Sequence, residues 1–353
     1  MKLTINRADL VRITAAAADV APSKSSLPIL GCVLLRTLAT SGGHLLEASA
    51  TDLYVSSRMA GDCETDAPGE VCVDAKALKD LSARMPDGPV KLEFDGKFLS
   101  VKAGRSKYKL HARPSDDMPV IPTAGDGMVQ VSGSALLRRL VAVSPAMSTD
   151  ESRPHLACAM LDDTVAVSTD GHRLHVVKGS PLGVSALVPP KGVALLVKMA
   201  KVGDLDIGVS ETGILTARQG AHTISTKTVD EIFPPYQKVI PDGDGSTSYS
   251  VPRDALTDAV KRLAYVSGGP VRFRSVAGAV ELAGQAVDTG EGSESVTCDA
   301  TGETPWIGMN ARYLLDALSA AGGEDVTLRV IGELDPVVVE GDGFEGILMP
   351  MRV

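Results

Sequence analysis

Residues 167–177, VSTDGHRLHVV, bring a serine, an aspartate and two histidines into one short segment. Ser168, Asp170 and His172 are the residue types of a hydrolytic centre, and Asp170, His172 and His175 are metal-ligand types. Residues two apart on a strand share a face, so a site is sterically possible. No G-x-S-x-G or H-E-x-x-H motif accompanies them in the sequence, which makes catalysis and metal binding the minor alternatives.

The elements that would position this segment belong to a chain of 353 residues, a length that suggests two or three domains. Its apolar fraction of 44% is enough to build their cores. The five cysteines are an odd number without a C-x-x-C pair, which argues against a disulfide framework and a zinc site. The segment MKLTINRADL lacks an apolar signal region, and no later stretch has 18 uninterrupted apolar residues. We expect a cytoplasmic protein without membrane association.

Three copies of one unit follow one another along the chain. A first helix-like segment recurs as INRADLVRITAAAA, VSGSALLRRLVAV and VPRDALTDAVKRLAYV, and a second as VDAKALKDLSARM, VPPKGVALLVKMA and MNARYLLDALSAA. Alternating runs broken at Gly104, Gly220 and Gly343 predict hairpins. The pattern predicts an α+β fold of three repeated domains, 1–124, 125–246 and 247–353, each with two helices on one face of an antiparallel sheet.

The boundaries of these domains fall in PSDDMPVIPTAGDG and FPPYQKVIPDGDGSTS, which are rich in Pro, Gly and Asp. DGDGST from Asp242 also resembles the start of a calcium loop. Its twelfth position is Arg253 instead of the bidentate glutamate that such a loop needs. A linker is therefore the favoured interpretation.

Positive charge is concentrated in the predicted helices, although the net charge of the chain is -9. Helices predicted over 6–18, 74–84, 134–147, 189–201, 252–265 and 309–321 contain 14 basic and 6 acidic residues, a net +8, which leaves -17 for the remainder. This sorting is expected if the helices face a polyanion while sheets and loops face solvent. Solvated helix faces rich in Lys and Arg are the alternative.

The chain resembles a known family, the beta subunit of bacterial DNA polymerase III, which is also called the bacterial sliding clamp. The resemblance is carried, in order, by SSLPILGCVLL, ATDL, GRSKYKLHARPSDDMP, STDGHRL, VPPKGV, TKTVDEIFPPYQKVIP and MPMRV. It spans essentially the whole chain. The motifs are specific as a set, although each is weak alone.

The resemblance implies a ring-shaped, head-to-tail homodimer that encircles double-stranded DNA without reading its sequence. It implies no catalysis and no cofactor, with an ATP-driven clamp loader opening the ring, which agrees with the absence of a phosphate-loop motif from the sequence. A protein that slides along DNA needs many weak contacts between flexible basic side chains and the phosphates. The candidates for DNA-facing residues are Arg7, Arg12, Lys24, Lys76, Arg138, Arg139, Lys191, Lys198 and Arg312.

The resemblance also implies a pocket that captures short peptides of partner proteins: the replicative polymerase alpha subunit, translesion polymerases, mismatch-repair proteins and ligase. Methionines suit such a pocket because their flexible side chains accept different apolar anchors. The pocket residues carried over are Leu156, Thr169, Gly171, His172, Arg173, Leu174, Pro234, Lys238, Val239, Ile347, Met349, Pro350, Met351 and Arg352.

Part of the segment 167–177 is predicted to have a structural role, because a similar segment occurs in the first repeat. SATDLYVSSRM at 49–59 repeats the Thr-Asp pair of STDGHRLHVV but lacks Gly-His-Arg. Thr51-Asp52 and Thr169-Asp170 are therefore predicted to form one shared turn, in which side-chain oxygens bond backbone groups.

For ring closure, the resemblance implies Tyr108 of the first domain opposite Tyr265 and Val266 of the third. Lys238, where arginine is common in the family, and Pro235, where an acidic residue is common, are departures that bear on peptide preference. The segment SGGPVRFRSVAG departs from the family pattern at the joint between protomers. A specialised, antibiotic-tolerant or phage-borne copy is the alternative to the housekeeping clamp, and we expect localisation to the cytoplasm at the nucleoid.

Overall fold

A computed structural model describes residues 1–121, 127–242 and 246–352. The predicted boundary at 124/125 and the core of the calcium-loop alternative, 243–245, lie outside the described residues. Two compact units are present: 1–131 with 194–228, and 132–193 with 229–353. The predicted central domain thus contributes to both units. Within the described ranges, no helix combines the length and apolar character needed to cross a bilayer.

All six predicted helices are present in the described part of the chain. They are α1 (Arg7–Ala18), α2 (Ala75–Arg84), α3 (Gly133–Val143), α4 (Pro190–Ala200), α5 (Arg253–Ser267) and α6 (Ala311–Ala321). Side chains of Asn6, Asp74, Ser132 and Asn310 cap four N-termini, satisfying backbone donors that lack a partner within the helix. The third helix ends earlier than predicted because a 3₁₀ turn that contains Pro145 follows it over Ser144–Ala146.

Twenty-four strands are assigned among the described residues. In the first 131 residues they are β1 (Lys2–Asn6), β2 (Cys32–Thr40), β3 (Gly43–Thr51), β4 (Val55–Ala67), β5 (Glu70–Asp74), β6 (Pro89–Phe94), β7 (Phe98–Ala103), β8 (Ser106–Arg113) and β9 (Val129–Val131). The next seven are β10 (Ala159–Asp162), β11 (Val165–Thr169), β12 (Arg173–Lys178), β13 (Ser185–Val188), β14 (Leu205–Val209), β15 (Ile214–Gln219) and β16 (His222–Lys227). The last eight are β17 (Thr247–Pro252), β18 (Pro270–Val276), β19 (Ala279–Ala286), β20 (Gly290–Thr297), β21 (Ile307–Asn310), β22 (Asp325–Val330), β23 (Val337–Gly341) and β24 (Phe344–Leu348).

The first unit is built on one antiparallel sheet of twelve strands, ordered β1-β6-β7-β8-β5-β2-β3-β4-β16-β15-β14-β9. Pairing of β4 with β16 joins the first repeat to strands of the second. The helices α1 and α2 contact each other, and α1 packs on β3 and β4. The sheet therefore continues from the first repeat into the second. The pairing of β4 with β16 satisfies backbone hydrogen-bonding groups that would otherwise be exposed at a strand edge.

The second unit holds an eight-stranded sheet, β13-β10-β11-β12-β24-β23-β22-β17, and a four-stranded sheet, β20-β19-β18-β21. Pairing of β12 with β24 joins the second repeat to the third. Helices α3 and α6 contact each other and pack on β11, β12, β23 and β24, while α5 packs on β18, β19 and β20.

The repeat markers occupy equivalent places in the fold. Gly104, Gly220 and Gly343 have φ of 54°, 56° and 75° in the turns of the equivalent hairpins β7–β8, β15–β16 and β23–β24. The matching leucines of the first helices, Leu10, Leu136 and Leu256, are buried. The predicted hairpins and helix registers are thus confirmed.

Candidate functional site

The segment TDGHR forms a compact turn between β11 and β12. The Thr169 hydroxyl accepts the Gly171 N–H at 3.1 Å and donates to the Arg173 carbonyl at 2.6 Å. One oxygen of Asp170 accepts the N–H groups of His172 at 2.9 Å and Arg173 at 3.1 Å. The polar side chains thus fix the backbone, as predicted for a structural turn, and leave His172 exposed at its tip.

The other groups of this segment are also engaged with backbone. Ser168 is buried, and its hydroxyl donates to the carbonyl of Val143. The buried imidazole of His175 donates from Nδ1 to the carbonyl of Ala142 at 2.7 Å. A nucleophile needs a base within hydrogen-bond reach, and here the serine and Asp170 have other partners. No group of three or more metal-ligand side chains occurs among the described residues.

Arg173 connects the turn to α6. Its side chain is buried, donates to Asp170 at 3.1 Å and to Asp316 at 2.6 Å, and lies 4.3 Å from the centroid of the Tyr313 ring. A further nitrogen donates to the carbonyl of Pro145. With its donors taken by internal partners, the guanidinium holds the turn in position instead of offering a free donor to a ligand.

The C-terminal segment lies beside this turn. The ladder between β12 and β24 pairs Leu174 with Ile347, and the Met349 N–H continues it by donating to the His172 carbonyl at 3.0 Å. The Met351 N–H is held by the carbonyl of Gly308 at 2.8 Å. Both methionines remain exposed, 45% for Met349 and 37% for Met351, so the structure brings together the two segments that sequence analysis assigned to one pocket.

An apolar cluster supports this surface. Leu174 and Ile347 are buried with Val167, Val176 and Val338. The partly buried residues packed against it include Phe233, Tyr236 and Ile240, from the segment that also carries the predicted pocket residues Pro234, Lys238 and Val239. Phe233, Tyr236 and Ile240 are not among the site residues predicted from the sequence. The signal available was two aromatics in one short segment of a chain with only 3% aromatic residues.

The remaining predicted pocket residues differ in exposure. Lys238, Val239 and Arg352 are exposed, whereas Pro234 and Pro350 are half-buried. Leu156 is buried in the loop before β10, where its carbonyl accepts the N–H of Ser148. Leu174 and Ile347 form the floor rather than the rim of the surface.

A cavity of about 230 Å³ adjoins the tip of the turn. It is polar, because His172, Arg153, Asp150 and Arg312 border it together with the Tyr313 ring. Arg153 pairs with Asp150 at 2.8 Å. The exposed histidine therefore lies between this polar cavity and the apolar methionine surface, an arrangement that would bind a peptide with both apolar and polar side chains.

Comparison with known proteins decides the family. The model of the DNA polymerase III beta subunit N-terminal domain matches residues 1–122, and that of the C-terminal domain matches residues 237–352. The beta sliding clamps of Caulobacter vibrioides NA1000 and Pseudomonas putida are each 31% identical over 100% of both chains. The chain belongs to the beta sliding clamp family.

Solved structures agree with this assignment. The DNA polymerase sliding clamp from Caulobacter crescentus superposes with a TM-score of 0.91 at 30% identity, covering 100% of each chain. The sliding clamp from Pseudomonas aeruginosa bound to griselimycin has a TM-score of 0.91 at 28% identity, again over 100% of each chain. The three-repeat clamp fold is thereby confirmed. The role of the protein is that of a DNA sliding clamp and processivity factor, which is not itself an enzyme.

Four of the predicted DNA-facing residues of this sliding-clamp chain are freely exposed. Lys24, Lys76, Arg138 and Arg312 lie at the surface, the last three on α2, α3 and α6. These positions remain the candidates best suited to loose contact with phosphates.

The prediction for Arg139 is wrong. It is 2% exposed, and its guanidinium donates to the carbonyls of Asp163, at 2.9 Å, and Ser180. Leu136 and Leu140 of the same helix are buried, and residues three apart share a helix face, so the side chain of Arg139 points into the interior. Burial lowers its pKa from the ordinary value.

The other predicted DNA-facing residues have internal partners. Arg7 donates to the carbonyl of Ala83 at 2.6 Å and pairs with Asp87 at 2.5 Å. Arg12 pairs with Asp9 at 3.0 Å and Lys198 with Asp19 at 2.9 Å. Lys191 is half-buried and also has a partner. The exposed pairs of Arg12 and Lys198 exchange readily with solvent, and contact of these four residues with DNA stays a prediction.

The predicted interface residues lie at two sheet edges or beside them. Strand β8 pairs with β7 along its length but with β5 only at Ala112 and Arg113, and Tyr108 is exposed on the open part. Strand β20 ends its own sheet. Tyr265, in the last turn of α5, is 89% exposed, and the carbonyl of Val266 accepts a hydrogen bond from Thr289.

Proposed function

We propose that the protein acts as a head-to-tail homodimeric ring of three-domain protomers (1–124, 125–246 and 247–353) that encircles double-stranded DNA. A clamp loader opens and closes the ring. The ring tethers the replicative polymerase alpha subunit, and in turn translesion polymerases, mismatch-repair proteins and ligase, by binding a short peptide of each. Its place of action is the cytoplasm, at the nucleoid.

Peptide capture is supported above all by one observation, the continuation of the β12–β24 ladder by the Met349 N–H. This bond holds the exposed Met349 next to His172, beside the buried pair of Leu174 and Ile347. Apolar anchors at about 1.5–3 kcal/mol each, less the cost of ordering the peptide, correspond to roughly micromolar affinity. Binding of that strength allows partners to exchange.

DNA encirclement is supported by the exposed basic residues on α2, α3 and α6 and by the chemistry of the contact. Lysine and arginine on flexible stems form weak, water-separated contacts with phosphates and do not read bases. The acidic remainder of the chain would repel DNA from other surfaces. The ring then depends on enclosure, not on affinity.

Ring closure is supported by the charges on the two strand edges. The open part of β8 carries Lys107 and Lys109, whereas β20 carries the exposed Glu291, its other glutamate, Glu294, being paired with Arg262 at 2.5 Å. Antiparallel addition of β8 to the β20 of a second copy would continue one sheet across the joint, and opposite charges would favour that pairing.

The experiment for encirclement uses nicked circular DNA loaded by a clamp loader. We expect the protein to remain bound until the circle is linearised and then to be lost from the free ends. Release from the intact circle at the same rate as from linear DNA would contradict encirclement.

Peptide capture is tested separately with Met349→Lys and Met351→Lys. We expect each substitution to weaken binding of a fluorescein-labelled polymerase alpha-subunit peptide tenfold or more, because a charge replaces an apolar contact. Fluorescence anisotropy measures the affinity, and Val202→Lys, at an exposed apolar residue elsewhere, is the matched control. Unchanged affinity in both methionine variants would place the pocket elsewhere.

A further inference from the structure

The turn Thr51–Val55 of the first repeat reproduces the turn at Thr169–Arg173 bond for bond. The Thr51 hydroxyl accepts the Leu53 N–H at 3.0 Å and donates to the Val55 carbonyl at 2.9 Å. One Asp52 oxygen accepts the N–H groups of Tyr54 at 3.0 Å and Val55 at 2.7 Å. These are the four bonds described for the candidate site.

The strands that follow the two turns are also equivalent. Pairing of β4 with β16 corresponds to pairing of β12 with β24. The Lys227 N–H donates to the Tyr54 carbonyl at 2.8 Å, as the Met349 N–H donates to His172. Lys227 therefore occupies the place that Met349 has in the candidate site.

The first turn has a leucine, Leu53, where the candidate site has Gly171, and packing in a core does not explain this leucine. Its φ is +81°, close to the +92° of Gly171, in the left-handed region that residues with a side chain rarely adopt. The Leu53 side chain is 55% exposed and that of Tyr54 is 69% exposed, so neither fills a core. Strained residues retained at the surface are often found where a ligand binds.

These two side chains border a cavity of about 280 Å³ in the first unit. Ile214 adds apolar surface, Thr212 adds a hydroxyl, and Lys227 contributes its ammonium group. Lys227 is exposed and makes no ion pair with any residue in the described part of the chain. A partner would therefore meet an apolar recess beside an unneutralised positive charge.

We propose that this cavity is a second peptide-binding site, which accepts a short segment of a partner protein with an apolar side chain next to an aspartate or glutamate. The apolar side chain would enter the recess between Leu53, Tyr54 and Ile214, and the carboxylate would pair with Lys227. The proposal rests on the peptide-binding function proposed above for its mode of recognition, since the two turns share one frame.

The test measures how many peptides bind each full-length protomer. The probe is Ser-Leu-Asp-Phe-Gly carrying an N-terminal benzophenone, titrated by calorimetry and then cross-linked, with the attachment points mapped by mass spectrometry. We expect two peptides per protomer, one cross-linked near Leu53 or Lys227 and one near His172 or Met349. The counterpart Ser-Leu-Lys-Phe-Gly should label the position near Leu53 and Lys227 at least fivefold less.

Variants separate the two sites. Leu53→Gly and Lys227→Glu should each reduce the stoichiometry to one, whereas Lys201→Glu, at an exposed lysine outside both sites, should leave it at two. Leu53→Gly should not lower Tm, because glycine adopts the left-handed backbone without strain. Met349→Lys should remove only the peptide bound near His172.

The outcomes distinguish this proposal from the function it rests on. One peptide per protomer, lost in Met349→Lys and unaffected by Leu53→Gly and Lys227→Glu, overturns the second site and leaves the first intact. Binding at neither position overturns both. Labelling near Leu53 that persists in both Leu53→Gly and Lys227→Glu would also contradict the proposed recognition.

Discussion

At the scale of single residues, two adjacent arginines have opposite environments. Arg138 is exposed, whereas Arg139 is buried with its donors on the carbonyls of Asp163 and Ser180. Gly179 leaves the space that the guanidinium needs, because a Cβ there would lie 2.6 Å from it. Burial of an arginine in this way makes it part of the core hydrogen bonding.

We therefore expect Arg139→Ala to lower the free energy of unfolding by about 2–4 kcal/mol, because it removes the hydrogen bonds of a buried guanidinium and leaves an unfilled space in the interior. Arg138→Ala should change that free energy by less than about 0.5 kcal/mol and should shorten the residence time on linear DNA at low salt. Urea unfolding of the two variants provides the comparison. Equal losses of stability would contradict the assignment.

His175 predicts a dependence of stability on pH. Burial lowers the pKa of His175 to about 4, and its Nε2 has no hydrogen-bond partner among the described residues. The unfolded chain takes up a proton near pH 6.5, whereas the folded one does so only near pH 4. Stability is therefore lost as pH falls from about 6.5 to about 4, by up to about 1.4 kcal/mol per pH unit.

The variant His175→Gln should flatten this dependence, although the loss of packing against Phe344 would lower stability at neutral pH. The exposed His111→Gln is the control and should keep the wild-type slope. Unfolding free energies from urea titrations at pH 7, 6, 5 and 4.5 give the slopes. A wild-type slope in His175→Gln would show that another group is responsible.

At the scale of elements, the hairpin turns carry a definite backbone requirement. Gly104 has a φ of 54° and open space around its α-carbon, and Gly42 has open space with an ordinary φ. Alanine at Gly104 should cost about 1–2 kcal/mol because its Cβ meets the following carbonyl in the left-handed region. Alanine at Gly42 should be neutral or slightly stabilising. Thermal unfolding of the pair separates backbone strain from steric clash.

The helices and hairpins could be predicted from sequence because periodicity, capping residues and turn glycines are local signals. The merging of repeats into sheets of twelve and eight strands could not, since pairing of β4 with β16 and of β12 with β24 depends on where distant edges meet. The inward direction of Arg139 and the packing of Phe233 and Tyr236 over the site are tertiary contacts of the same kind. Thr169 and Asp170 were correctly assigned to a turn because the same pair recurs in the first repeat.

At the scale of the whole molecule, closure of the proposed ring depends on the edges of β8 and β20. Lys107→Glu with Lys109→Glu would place acidic residues opposite the exposed Glu291, and like charges at an interface are unfavourable. We expect the double variant to sediment as a monomer at concentrations where the parent chain is dimeric. Lys91→Glu, an exposed lysine on β6, is the control.

Adding Glu291→Lys to the double variant should restore part of the dimer, since it returns opposite charges to the joint. Sedimentation velocity measures each species. A double variant that remains fully dimeric would show that these edges do not form the contact.

Two different open edges on one chain also impose a rule of assembly. In the proposed ring these two edges are unlike surfaces, and a contact between unlike surfaces ends only when the last copy meets the first. Two copies suffice if the curvature closes; otherwise addition continues into filaments. Dilution should consequently dismantle the assembly by mass action, so the abundance of the chain in a cell would set the fraction that exists as intact toroids.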